Sequence, residues 1–425
     1  MRVLIMGKVT FKRRELLVAG CLSMLVMPSC KSLDATMQSA DVLRDFANSS
    51  TGQSIANIAK SDDPRQALKD QAKVLQATYK NNPQALLADY NRLREQYKQL
   101  RLALKGKASE QWGAADSKTP EVTTYVKYTR NYKSRAVVDF DSGKVVVETL
   151  EQSNYTEALK SAIVTTLLTP DDPRAVDLFT DAEVDLSSKQ DPYLLNLILD
   201  TKQKAINTPQ QAAMFADWLI NNAQKSKAFN TENGFKTAHF VEMNMVSNFS
   251  DKQAEKYLPT VKRFADKFGV NESLIFGVIR TESNFNPFAV SAAPAFGLMQ
   301  LVPSSGGRDA YKEARGIDQA PTQDFLFDAN NNIELGTAYI GVLLNNYLGK
   351  VNDHISREYC AIASYNTGAG NTFKAFGGDR TTAISAINTM TPPQVYDTLV
   401  TKLPYEETRS YVQKVVKFRK NYVQL

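Results

Sequence analysis

Histidine is nearly absent from this chain, and much of metal and nucleophile chemistry goes with it. The two present, His239 and His354, are far apart and sit in no ligand-like cluster, so a His-based metal site or a Ser-His triad has little to be built from. Neither a metal nor an organic cofactor is expected. Cysteine is scarce too, at three in 425 residues; Cys360 stands alone in a helical pattern and reads as a buried, inert thiol, while Cys21 and Cys30 lie near the N-terminus. Charge of one sign is also missing. The net +6 comes from 51 basic against 45 acidic side chains spread along the chain, which gives no support to nucleic acid and only weak support to anionic surroundings such as phospholipid headgroups or a carboxylate-bearing polymer. Internal repeats and low-complexity tracts are lacking. With 43% hydrophobic and 23% charged residues, the composition is that of an ordinary globular protein with room for two or three domains.

The longest apolar run is short and N-terminal. Lys8, Lys12, Arg13 and Arg14 precede Leu16 to Met27, a stretch of secretory length that is too short to span a bilayer. It ends in Val26-Met27-Pro28-Ser29-Cys30 and turns polar at Lys31. A small residue before a cysteine at this place resembles a bacterial lipoprotein cleavage box, with residues 1–29 as signal peptide and Cys30 as the lipidated N-terminus. Leu17-Val18-Ala19-Gly20-Cys21 matches the box better by letters but leaves almost no apolar region ahead of it, so Cys30 is preferred. If both cysteines are merely apolar residues of a cleaved signal peptide, the mature protein is still exported. A lipid would anchor it without a membrane span. Lys31 stands where such lipoproteins retained in the inner membrane resemble one another in carrying aspartate, so the expected place is the inner leaflet of the outer membrane, facing the periplasm of a Gram-negative cell.

Residues 33 to 62 read as a tether. Two heptad-like stretches follow, Leu68, Ala72, Leu75 and Tyr79, then Leu86, Tyr90, Leu93, Tyr97, Leu100 and Leu104, broken at Asn81-Asn82-Pro83 with Asn82 as N-cap and Pro83 at the first helical position. This predicts a helical hairpin within residues 30–115, serving either as a spacer or oligomerisation element or as an extension packed on the next domain. The heptads permit a coiled coil without demanding one. From about residue 120 the period changes. Lys133 to Phe140 and Lys144 to Thr149 are Val-rich and flank a hairpin turn at Asp141-Ser142-Gly143; helices are predicted over Tyr155 to Leu168 and Pro209 to Lys225, and strand again at Phe240 to Met245. Residues 116–248 thus form a small α+β domain with no cluster that suggests chemistry. Beyond 249 nearly everything reads as helix, with Gly269 as a C-cap, Asn271 and Asp328 as N-caps, and one long helix from Asp328 to Leu348. The fold class is α+β, with the all-helical unit, 249–425, as the catalytic candidate.

Within that unit one acid is conspicuous. Ile275, Val278 and Ile279 precede Glu282 by seven, four and three residues, so in a helix the carboxyl shares the apolar, core-facing stripe. A partly dry carboxyl has its pKa raised and can hold a proton near neutral pH, which a general acid for a glycosidic oxygen requires. A Glu at a helix end facing water would show the same spacing.

Four ordered motifs sharpen the choice. Glu282-Ser283 through Pro287, Gly297-Leu298-Met299-Gln300, Ser364-Tyr365-Asn366 with Gly368 and Gly370, and Glu407-Thr408-Arg409 with Tyr411-Val412 resemble the motifs of the family 1 lytic transglycosylases, over about 250 to 425. The stretch from Tyr125 through Asp177-Leu178-Phe179 into the 180s resembles the N-terminal domain of a membrane-bound branch of that family, whereas residues 33 to 110 find no counterpart and read as an addition. The resemblance implies a goose-lysozyme-like helical fold around a long groove. It also implies cleavage of the bond between N-acetylmuramic acid and N-acetylglucosamine in peptidoglycan glycan strands, with Glu282 as the single acid and base. Ser291 matches a serine that hydrogen-bonds the acid; Met299 and Gln300 match groove-lining positions; Tyr365 and Asn366 match an aromatic-amide pair that meets an N-acetyl group. Ser364 stands where the family often has Ala or Cys.

Two-carboxylate glycosidases need a second Asp or Glu, and none lies between Glu282 and Asp309. A lone Glu suffices if the substrate's own C6 hydroxyl attacks C1 and leaves a 1,6-anhydro end, an attack favoured because the nucleophile is already tethered. Glu407 matches a carboxylate near the groove. It could position a muramyl substituent, pair with Arg409, or be the second carboxylate of a hydrolytic muramidase. A non-catalytic peptidoglycan-binding lipoprotein is the remaining alternative, against which the intact Glu282, Ser291 and Gln300 speak.

Overall fold

A computed structural model describes residues 83–423, apart from 189, 232–233 and 293–294. The signal segment, Cys21, Cys30, the tether, the first heptad stretch and Asn82 lie outside the described residues. The second stretch forms one helix, α1 (Pro83–Trp112), starting at the proline. Among its described side chains the buried ones are Tyr97, Leu104, Ala108 and Trp112, while Leu100 is 45% exposed, so the inward stripe leaves the heptad seam. Leu104, Ala108 and Trp112 pack on Val126, Tyr128 and Ala238 of a β-sheet and on Leu150 just beyond one of its strands. The helix is therefore an extension docked on the α+β domain, one of the two roles its sequence allows.

That sheet is antiparallel, in the order β1-β2-β3-β5-β4, from β1 (Thr124–Thr129), β2 (Ser134–Asp139), β3 (Lys144–Thr149), β4 (Lys225–Thr231) and β5 (Gly234–Asn244). The β2–β3 turn comes where Asp141-Ser142-Gly143 predicts it, with Gly143 at φ 69° supplying the left-handed residue. Helices α2 (Tyr155–Leu168) and α3 (Pro209–Ala223) follow, α3 opened by a capping box between Thr208 and Gln211. Two strands escape the sequence reading. β1 lies between α1 and the main core and is buried on both faces, so it lacks period-2 alternation. β4, Lys-Ser-Lys-Ala-Phe-Asn-Thr, is a polar edge strand whose lysines discourage pairing with another chain.

The helical unit begins with α4 (Phe249–Phe268), ended by Gly269 at φ 64°, and α5 (Glu272–Glu282), capped by the Asn271 side chain on Ser273 N–H. Next come α6 (Gly306–Arg315), α7 (Gln323–Phe327) and α8 (Ala329–Val342), the last capped by Asp328. The long helix expected to reach Leu348 turns π-helical over Leu343–Tyr347. Then follow α9 (His354–Thr367), α10 (Ala369–Lys374), α11 (Arg380–Asn388), α12 (Pro392–Lys402) and α13 (Glu406–Arg419).

Two units share one core at their junction. Tyr125 and Tyr193 of the α+β domain meet Phe288 of the helical unit with ring centroids 4.6 Å and 5.1 Å away, and Tyr97 of α1 meets Phe296 at 5.1 Å. Aromatic pairs at such separations add about 0.5–1.5 kcal/mol each beyond area burial.

Candidate functional site

Glu282 is the last residue of α5. Ile275, Val278 and Ile279 are fully buried, as the stripe predicts, and each contributes roughly 1.5–3 kcal/mol by leaving water. They anchor the helix face that carries the acid. Across α5 lies α13, and the approach is close because Gly277 has no side chain: a Cβ there would sit 3.0 Å from Cβ of Arg419 and 3.1 Å from the Val415 carbonyl oxygen. This approach lets the Tyr411 hydroxyl donate to Oε1 of Glu282 at 2.8 Å.

The carboxyl is half-buried at a groove of about 810 Å³, lined among others by Ser291, Gln300, Tyr365, Asn366, Glu407 and Tyr411. Burial pushes its pKa up to about 8; the Tyr411 hydrogen bond opposes this, and the charge of Glu407 adds to it. Tyr411 and Tyr365 are held well above the ordinary phenol value by burial first and the nearby Glu282 charge second, so both remain proton donors. Among the described residues lining the groove, Glu282 and Glu407 are the only carboxylates.

Behind the acid the chain turns sharply. Asn284 and Phe285 have φ of 47° and 63°, left-handed conformations that cost side-chain-bearing residues about 1–3 kcal/mol each. Phe285, fully buried, is held by the rings of Phe276, Tyr257 and Tyr422. The Gly297-Leu298-Met299-Gln300 turn is clamped by one buried side chain, Asn332 of α8. Its oxygen accepts from Met299 N–H at 2.7 Å, and its nitrogen donates to the carbonyl oxygens of Phe296 and Leu326, both at 2.8 Å. Gly297, at φ 73°, leaves space for that amide.

Six of the seven groove residues expected from sequence line one groove, and one does not. Ser291 lines the same groove as Glu282, and its N–H donates to the Ala295 carbonyl oxygen. Gln300 donates its amide to the carbonyl oxygens of Ala289 and Gly297, and its buried Oε1 has no partner among the described residues. Asn366 accepts the Thr408 hydroxyl hydrogen at 2.7 Å on its amide oxygen, so its NH2 is the group left to donate. The Tyr365 hydroxyl is engaged, donating to the Met299 carbonyl oxygen at 2.8 Å.

Met299 is the correction. Its side chain is fully buried, with sulfur packed so closely over Gly336 of α8 that a Cβ there would be 2.2 Å away. It is absent from the groove wall because its side chain points inward, onto α8. Glu407 is exposed at the groove rim and forms no ion pair with Arg409 among the described residues; two positions apart on a helix they do not face each other, and Arg409 reaches the Thr401 carbonyl oxygen instead. Cys360 is buried, with its thiol pushed up to about 12 by desolvation, as an inert cysteine requires.

Tyr411 is the residue that site reasoning from sequence passed over, although it stands in the fourth motif. Spacing within α13 was the available signal: Glu407, Tyr411 and Lys414 recur at helical intervals and all line the groove.

Comparison with known proteins identifies the family. Residues 79–256 match the family model described as membrane-bound lytic murein transglycosylase C, N-terminal domain, and residues 259–388 the transglycosylase SLT domain. The first match takes in α1, so this helix is part of the family's N-terminal domain and no addition. The chain is 41% identical over 311 residues to membrane-bound lytic murein transglycosylase C of Yersinia pestis (strain Pestoides F), spanning 73% of this chain and 85% of that protein; the Yersinia pseudotuberculosis (serotype O:1b) protein matches equally. Among solved structures, lytic transglycosylase Slt of Pseudomonas aeruginosa is 30% identical over 40% of this chain and 24% of its own, at a TM-score of 0.31.

Proposed function

Since the chain belongs to the membrane-bound lytic murein transglycosylase C family, and is a peptidoglycan lytic transglycosylase, we propose that Glu282 carries out the whole reaction as acid and then base. The observation that carries this reading is a carboxyl with a pKa near 8 at the groove wall, its Oε1 held by Tyr411. Near neutral pH most of it is protonated. With a donor on Oε1, the acidic hydrogen resides on Oε2. Transfer of that proton to the bridging oxygen breaks the C1–O bond of the muramyl residue as N-acetylglucosamine leaves. The C6 hydroxyl then bonds to C1 and returns its proton to the carboxylate, so the acid is regenerated and no water is consumed. The products are a free glucosaminyl hydroxyl and a 1,6-anhydromuramyl end.

Ser291, Gln300, Tyr365, Asn366 and Glu407 serve in this proposal as the walls that hold the sugars: Asn366 offers a donor pair and Tyr365 an aromatic face. Exclusion of water from around the carboxyl serves both steps, since it keeps the acid protonated and spares the oxocarbenium-like centre from hydrolysis. The second reading, a muramidase using water, has Glu407 as its one available second carboxylate at the groove.

Membrane association follows from the family's name; the finer proposal is lipid attachment at Cys30 and residence in the inner leaflet of the outer membrane. No helix among the described residues is long and apolar enough to cross a membrane. Incubating the purified chain and E282Q with peptidoglycan and weighing the released muropeptides tests the chemistry. Anhydro ends that vanish in E282Q support it, and reducing ends from the wild type would overturn it in favour of water.

A further inference from the structure

We infer that the α+β domain is a positioning element of the catalytic site, acting through a clamp between the tip of its sheet and the loop that immediately follows Glu282. This rests on the reading of Glu282 as the acid and base. Glu282 ends its helix, so the direction of its side chain depends on how the next residues are held. Two residues on, the amide nitrogen of Asn284 donates to the Phe140 carbonyl oxygen and, at 3.1 Å, to Oδ1 of Asp141. Phe140 and Asp141 open the β2–β3 turn. The other carboxylate oxygen of Asp141 accepts the Thr123 hydroxyl hydrogen at 2.9 Å, tying the turn to the run into β1. Asn286 repeats the arrangement, donating to the Val122 carbonyl oxygen at 3.0 Å while its own oxygen takes Phe288 N–H at 3.0 Å. Val122 itself lines the groove.

The partners are unequal in a telling way. Asn284 and Asn286 are buried, and Asn284 holds a left-handed backbone that local preferences alone would not hold fixed. Asp141 is exposed and is not needed for a hydrophobic core. A turn that supplies two oxygen acceptors, beside a third from the run into β1, to one loop of another unit does little for its own sheet. It does fix the path of the chain two covalent steps from the acid. Glycosidic proton transfer tolerates little displacement, and about 1 Å of misplacement can cost on the order of 100-fold in rate.

Three variants test this on soluble glycan strands, each assayed at a temperature where circular dichroism shows it folded. Asn284→Gly keeps a residue suited to the left-handed backbone and removes the clamp; Asp141→Ala removes the outer acceptor; Asp141→Asn keeps an oxygen to accept. The first two should lower kcat about 10- to 100-fold with KM within about twofold, the split expected when only the transition-state geometry is lost. Their alkaline limb should move to lower pH as water reaches the acid, and Asp141→Asn should recover most of kcat. Wild-type kcat in Asn284→Gly, or equal losses in the two Asp141 variants, would overturn the inference. If Asn284→Gly fails to fold, the Asp141 pair decides alone. E282Q, run alongside, separates the two ideas: turnover in E282Q sinks the acid assignment, whereas an inactive E282Q beside fully active clamp variants sinks only the clamp.

Discussion

Oε1 of Glu282 accepts the phenolic hydrogen of Tyr411 at 2.8 Å, across 129 positions of sequence. The contact does two opposing things. It stabilises the carboxylate that the proposed reaction passes through, and it draws down a pKa that burial has raised.

Tyr411→Phe separates these effects. A hydrogen bond to a charged group contributes about 1.5–3 kcal/mol, so kcat should fall roughly 10- to 100-fold. The alkaline limb should rise above pH 8, because the one influence that lowers the Glu282 pKa is gone. A pH-rate profile that drops in height without moving, or moves downward, would contradict this account.

Stability should depend on the same proton. The folded-state pKa of about 8 exceeds the ordinary 4.5, so the folded protein binds a proton that the unfolded chain releases. Stability is therefore fully present below about pH 4.5 and is lost as pH climbs toward 8. E282Q, which cannot ionise, should be more stable than wild type by on the order of 1–4 kcal/mol at pH 8.5, with the gap closing near pH 4.5. Urea melts at the two pH values check it, and a pH-independent gap would refute it.

Glu407→Gln removes the charge that adds to the Glu282 shift. The alkaline limb should move down by less than about one unit, since this contribution ranks behind burial, while products keep their anhydro ends. Complete loss of turnover would mean that Glu407 touches the reaction itself.

Met299→Leu tests the placement of Met299 in the core. A volume-conserving exchange there costs less than about 1.5 kcal/mol, and KM for glycan should be unchanged because the side chain does not reach the groove. A several-fold rise in KM with an unaltered melting temperature would return Met299 to the wall.

Asn332→Leu should be far more damaging, by about 3 kcal/mol or more, since it strips partners from the Met299 N–H and two buried carbonyl groups at once. Chemical denaturation measures it, and a loss below about 1 kcal/mol would show that water replaces the amide.

Much was legible along the chain because it depends on near neighbours. The apolar stripe ending at Glu282, the caps Asn271, Asp328 and Gly269, and the Asp141-Ser142-Gly143 turn are properties of a few consecutive residues and emerge where their letters predict. Gathering Glu282 with Gln300, Asn366 and Glu407 was legible only through the order of the motifs. Residues whose meaning comes from packing stayed hidden. β1 is covered on both faces and shows no alternation, and Met299 reads the same whether it points to glycan or to Gly336. Tyr411 becomes the partner of Glu282 only because Gly277 lets two helices close on each other. The sequence by itself determined the family, the candidate acid and the local elements that carry it. The tertiary structure decided which hydroxyl holds the acid, which motif residues face the groove, and that Asn284 reaches into a second domain, because each of these is a contact between segments more than a hundred residues apart or a choice of side-chain direction that no local pattern encodes.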